Sequence, residues 1–191
     1  MQSKWFIIAV LLPVVSFSQG NSSRSSLNTI VSVGMASGQS TAKPLFQWTG
    51  GMSYGRYFSG VGIGYDQYQF NSIPVFADWR MGIGQNKLAF VYADGGYNFP
   101  GSYKSDPEYL KTSDRLKGGF YMDAGIGYRI PLSRLHRLVF SAGYSRKNNA
   151  QEKIFTYPCG VDPCIDTPQD VYTYHYNFSR IITKLSWELG K

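Results

Sequence analysis

Apolar and polar residues alternate along most of this chain, and Lys117–Ile130 shows the pattern best. Phe120, Met122, Ala124, Ile126, Tyr128 and Ile130 fall on one face; Gly119, Tyr121, Asp123, Gly125, Gly127 and Arg129 fall on the other. A period of two predicts a β-strand with one greasy side and one side of small residues and isolated charges. At about 3.3 Å per residue such a strand is long enough to cross the hydrocarbon core of a bilayer when tilted.

Seven further segments read the same way: Leu27–Ala36, Phe46–Tyr57, Val61–Phe70, Ile73–Gly84, Lys87–Phe99, Arg137–Arg146 and Val171–Leu189. The last needs a bulge near Ser179, because Tyr172, Tyr174, Tyr176 and Phe178 fall out of phase with Ile181, Leu185, Trp187 and Leu189. The predicted connections at 58–60, 85–86 and 131–136 are short. Those at 37–45, 100–116 and 147–170 are long, and 71–72 is the exception. In an up-and-down barrel, successive connections lie at opposite ends, so one rim carries tight turns and the other carries loops. The expected fold class is all-β: an eight-stranded antiparallel up-and-down transmembrane β-barrel.

Composition fits an all-β chain. Of 191 residues, 16% are aromatic and 21 are glycine, while only 16% are charged, against roughly 25% in an ordinary soluble domain. The net charge of +7 comes from scattered Lys and Arg with no dense basic run, so no nucleic-acid partner is expected. Residues 1–18 have the form of a cleaved signal peptide: Lys4, then the apolar run Trp5–Val15, then Ser16 and Ser18 before Gln19. Residues 19–26 form a polar leader, leaving 27–191 for the barrel. No later apolar run approaches the roughly 20 residues of a spanning helix.

Alternation does not say which solvent meets the greasy face, since a soluble lipocalin-like barrel alternates with its apolar side inward. Three features favour lipid outside. The non-greasy face is mostly Gly, Ser, Asn and Thr, which suits a lumen that eight strands make just wide enough for side chains to fill. Large aromatics on the greasy face gather near strand ends, with Phe46, Trp48, Tyr97, Phe99 and Phe120 toward the loop rim. Tyr54, Tyr128 and Trp187 lie toward the turn rim, giving two interfacial girdles. Charges on the small-residue face are of both signs: Asp66, Asp78, Asp94, Asp123 and Glu188 against Arg80, Arg129, Arg180 and Lys184. Buried charges must be paired, so these residues are expected to form a salt-bridge network that plugs the lumen.

Several segments resemble the outer-membrane β-barrel domain family of small OmpA/OmpX-type proteins. They are the signal ending Ser-Phe-Ser-Gln, the stretch Ile73-Pro-Val-Phe-Ala-Asp-Trp-Arg80, the stretch Tyr92-Ala-Asp-Gly-Gly-Tyr97, and the closing Asn177-Phe-Ser-Arg-Ile181 with Leu185-Ser-Trp-Glu-Leu189. The resemblance implies an integral protein of a Gram-negative outer membrane.

Cys159 and Cys164 sit in the longest predicted loop of an exported chain, and a disulfide is expected there. No metal or cofactor site is predicted, since neither histidine lies near the cysteines. An enzyme acting on lipid would have to use His136 or His175, the latter with Ser179 or Asp170. The preferred reading is not an enzyme, with a barrel enzyme, a narrow pore and a soluble carrier as alternatives. The loop-rim cations Lys104, Lys111, Arg115, Lys117, Arg146, Lys147 and Lys153 are candidates to meet lipopolysaccharide phosphates. Tyr172, Tyr174 and Tyr176 are assigned to the upper girdle. The expected partners are outer-membrane lipid and lipopolysaccharide, around a monomeric barrel that presents the loops 100–116 and 147–170.

Overall fold

A computed structural model describes residues 25–38, 42–67, 71–101, 112–156 and 169–190. The expected signal peptide (residues 1–18) and both cysteines lie outside the described residues. The strands are β1 (Ser26–Ser37), β2 (Ala42–Tyr54), β3 (Tyr57–Gln67), β4 (Asn71–Ile83) and β5 (Ala89–Pro100). They continue as β6 (Thr112–Lys117), β7 (Gly119–Pro131), β8 (His136–Thr156) and β9 (Gln169–Gly190). Every pairing is antiparallel, and β9 closes the ring by pairing with both β8 and β1.

Eight strands make the ring, because β6 is the upper continuation of β7. Both pair with β8, whose other side is occupied by β9 along its whole length. Lys117 faces Ala150 while Tyr121 faces Lys147, so the β6–β7 run carries one residue more than β8. That is a β-bulge at Gly118–Gly119.

Register fixes the shape. Following directly opposed residues around the ring from Leu27 leads through Met52, Ser59, Trp79, Ala93, Ala124, Tyr144 and Ile181 to Ser37, a displacement of ten residues. Ten residues at about 3.3 Å, over eight strand spacings of about 4.8 Å, tilt the strands by about 40°. The displacement is even, so the same face stays outward all the way round; an odd step would mix the faces.

The faces are inverted relative to a water-soluble protein. Leu27 is 78% exposed, Val61 68%, Ile126 66% and Ile181 64%. The aromatics expected in the girdles, from Phe46 and Trp48 to Tyr128 and Trp187, also stand on this outer wall. Asp78, Asp94, Asp123, Lys147, Lys184 and Glu188 are buried within.

Turn positions differ from those expected at several places. The β2–β3 turn is Gly55-Arg56 rather than 58–60, with Gly55 at φ +62°; Phe58 thereby becomes a lumen residue. A glycine at the first central position suits the tight primed turns whose twist matches the strands. The stretch 71–72 opens β4, so it is not a connection. Three expected loops shrink: β2 begins at Ala42, β6 occupies part of 100–116, and β8 and β9 take residues 147–156 and 169–170.

The largest departure is a tongue. β9 pairs with β1 only up to Ile181–Ser37, yet stays paired with β8 to Thr156–Gln169. Above the ring β9 therefore runs for twelve more residues, 169–180, roughly 40 Å of strand. With β6 on the far side of β8 this makes a three-stranded extension. No bulge occurs at Ser179, because the β8–β9 register is unbroken. Tyr172, Tyr174, Tyr176 and Phe178 share the face of Lys184 and Ile182, not that of Ile181 and Trp187. The tyrosines belong to the tongue rather than to the upper girdle, and Phe178 packs on Ala36, Leu45 and Ile182.

Candidate functional site

The lumen is the most heavily built part of the molecule, and it is built in three levels. At the turn rim Glu188 on β9 accepts from Arg129 Nε at 3.1 Å, from Arg137 Nη1 at 2.7 Å and from Asn28 Nδ2 at 3.2 Å.

In the middle, the register sets Asp78 on β4 directly opposite Asp94 on β5, and Asp94 directly opposite Asp123 on β7. Three adjacent carboxylates repel, and two cations hold them. Arg80 Nη2 is 2.6 Å from Asp78; Lys184 Nζ is 2.9 Å from Asp123 and 3.5 Å from Asp94. Tyr92 donates its hydroxyl to Asp123 at 3.1 Å. Lys184 also donates to Gln47 Oε1 at 3.2 Å, and Gln47 Nε2 donates to the Tyr121 hydroxyl at 2.9 Å. Gln47 on β2 and Tyr121 on β7 stand on diametrically opposite strands of the ring.

At the upper level Lys147 on β8 pairs with Asp66 on β3, again across the full diameter. Ser72 supports the pair, accepting from Lys147 Nζ at 3.3 Å. Asn98 donates to Asn149 at 3.0 Å beside them.

Aromatic rings fill the space between these polar levels. Arg80 lies 5.5 Å from the Phe58 ring and 5.6 Å from the Phe90 ring; Arg129 lies 4.3 Å from Phe90 and Lys184 4.4 Å from Tyr92. Each is a cation over a desolvated π face. Glycines on neighbouring strands make the room: a Cβ at Gly62 would sit 2.5 Å from the Phe76 ring. Small residues and bulky rings are therefore two halves of one packing arrangement.

Of the residues expected in the lumen network, Asp66, Asp78, Arg80, Asp94, Asp123, Arg129, Lys184 and Glu188 form the ion pairs described. Arg180 lies higher, donating to the Ala36 carbonyl at 3.2 Å. Lys147 is a correction, since it was expected at the loop rim and is buried in the lumen. The signal was present: Ser145, Lys147, Asn149 and Gln151 continue the polar alternation of β8 past Arg146. Arg137, Phe58 and Phe90 were missed as well. Of the remaining rim cations, Lys117 pairs with Glu152 on the tongue, Arg115 and Arg146 are exposed, and Lys104 and Lys111 lie outside the described residues.

The residues weighed for a hydrolytic site are not brought together. His136 accepts from Trp187 Nε1 at 3.2 Å on the outer wall. His175 and Ser179 lie four residues apart on one strand, about 13 Å, and Asp170 is on the other face. Among the described residues no group of His, Cys, Asp or Glu is placed to hold a metal ion.

No protein-family model and no curated protein matches the sequence. Among solved structures, the chain is similar to the crystal structure of the outer membrane protein OprG from Pseudomonas aeruginosa. The likeness is 8% in sequence identity with a TM-score of 0.48, and it covers 87% of this chain and 95% of that one. The comparisons add nothing in favour of the OmpA/OmpX-type affiliation. The class that the strands define is a small closed antiparallel barrel, and that assignment rests on the chain's own pairing.

Proposed function

We propose that this chain is an integral outer-membrane β-barrel whose lumen is plugged by its salt-bridge network, and which serves a structural or surface-interaction role by presenting its loop rim. The observation that carries the reading is the inversion of polarity. Contiguous apolar surface of this extent is a liability in water and a requirement in lipid. Asp66, Asp78, Asp94, Asp123, Lys147, Lys184 and Glu188, which would be costly in a lipid-facing wall, lie inside, where partners are available.

The plug reading is supported by the two links that cross the lumen at different levels, Gln47–Tyr121 and Lys147–Asp66. Presentation is supported by the tongue, which extends well past the barrel rim and carries Arg115, Lys117 and Lys153 beside an anionic leaflet. Residues 1–18 direct export, and a Cys159–Cys164 disulfide stiffens the tip between β8 and β9.

Fractionation tests the location. The processed chain should remain with detergent-extracted outer membrane and migrate faster on gels unheated than boiled; a water-soluble product would end the reading. Planar bilayers test the plug. The purified barrel should give no large, stable conductance, and steady channels would show the lumen to be open.

A further inference from the structure

The turn-rim mouth of the barrel holds a cavity of about 590 Å³. Four cationic side chains line it (Arg56, Lys87, Arg129 and Arg137) against one carboxylate, Glu188. Glu188 is already engaged by two of them, so the mouth keeps a surplus of positive charge. The guanidinium groups also keep donors. Each has five N–H bonds. Arg129 uses Nε on Glu188 and Nη1 on the Lys87 carbonyl at 3.2 Å, and Arg137 uses Nη1 on Glu188.

The geometry is held rigidly. Arg129 is fixed from three sides by Glu188, by the Lys87 carbonyl and by the Phe90 ring 4.3 Å away. Lys87 adopts φ +53°, a conformation uncommon for a residue with a side chain and one that tends to persist where a site requires it. Its Nζ donates to the Gly55 carbonyl at 3.0 Å, tying the neighbouring β2–β3 and β4–β5 turns together at the rim of the mouth. Planar, preorganised guanidinium groups with free donors match the oxygens of a phosphate.

The geometry points to an oxyanion site at this mouth, with a phosphate group as its ligand, supplied either as a free ion or as a lipid headgroup. The inference concerns the cavity's own chemistry. It rests on the membrane reading only for the side of the membrane the mouth faces, and its test works in detergent micelles whether or not that reading holds.

The test follows the arginine Nε–H resonances of the refolded chain as inorganic phosphate is added, with sodium chloride at matched ionic strength as reference. Saturable shifts of Arg129 and Arg137 are expected. Arg137→Gln and Lys87→Gln should each weaken binding by about tenfold, the scale of one charge-assisted hydrogen bond. Heat-modifiable migration checks that each variant is folded, and Arg146→Gln, at the opposite rim, should bind as the parent does. Nanodiscs of phosphatidylcholine with and without phosphatidic acid separate the sources: shifts on adding the acidic lipid alone assign a headgroup, and shifts with free phosphate assign the ion. Shifts no larger than those with chloride, or equal in the parent and both mouth variants, would overturn the site.

Discussion

Lys147 and Asp66 form a buried ion pair across the whole diameter of the barrel, from β8 to β3, four strands apart in either direction. Each has left water for the sake of the other, and neither has solvent to fall back on. Such a pair contributes little net stability relative to apolar residues of the same shape. Breaking it by removing one partner is costly, because an uncompensated charge stays behind.

Lys147→Met should therefore destabilise the folded barrel by about 3–5 kcal/mol, read from urea-induced unfolding in lipid vesicles. Adding Asp66→Asn to the same chain should restore most of the loss, giving a large coupling energy. Additive losses would mean that the two side chains do not meet.

Gly62 and Phe76 supply a steric test. Gly62→Ala drives a methyl group into the Phe76 ring, and overpacking of this kind costs about 1–3 kcal/mol. Phe76→Leu in the same chain should recover part of it. Gly95, with nothing within 4 Å of its missing Cβ, should accept alanine with a change of about 0.5 kcal/mol or less.

The fold was legible wherever one solvent boundary governed the alternation. From Leu27 to Met35 and from Ile73 to Ile83 every second residue meets the outside, so a simple period of two fixes both the strand and its face. Legibility failed where the boundary changed. Above Ile181 the tongue leaves the ring, and Tyr172 and Tyr174 are exposed although they lie on the lumen face. A change of surroundings thus looks, in sequence, like a slip of register.

The site was legible as a list of charges but not as a set of pairs. Asp94 and Asp123 could be assigned to the lumen from alternation alone. That they stand side by side with Asp78 depends on two registers, which no local pattern encodes. An expected strand end at Arg146 leaves Lys147 out of the lumen, and with it the partner of Asp66. Phe58 falls in the expected 58–60 connection, and that Gly62 and Gly127 are the sockets of Phe76 and Phe90 depends on cross-strand register.

Ile126 distinguishes lipid from water on the outer wall, where it is 66% exposed. Ile126→Lys should cost about 2–4 kcal/mol in a bilayer if the position lies near the midplane. In a water-soluble barrel the same change at an exposed site would alter stability by about 0.5 kcal/mol or less. Unfolding from vesicles measures the difference.

The tongue yields a chemical prediction. Non-reducing mass spectrometry of the mature chain should find Cys159 and Cys164 in one linked peptide, since the proposed export would expose them to an oxidising compartment. Two free thiols would remove the disulfide from the account and leave the barrel unaffected.

The central claim is that the apolar wall touches acyl chains, and the tryptophans report on it directly. Trp48, Trp79 and Trp187 all stand on that wall, 52%, 43% and 44% exposed, and the fourth, Trp5, lies in the proposed signal peptide. Refolding the processed chain into vesicles whose acyl chains carry bromine should quench its tryptophan fluorescence strongly relative to unbrominated lipid. Emission that is unchanged by bromine, in a chain shown to be folded, would contradict the assignment of outside and inside on which the barrel reading stands.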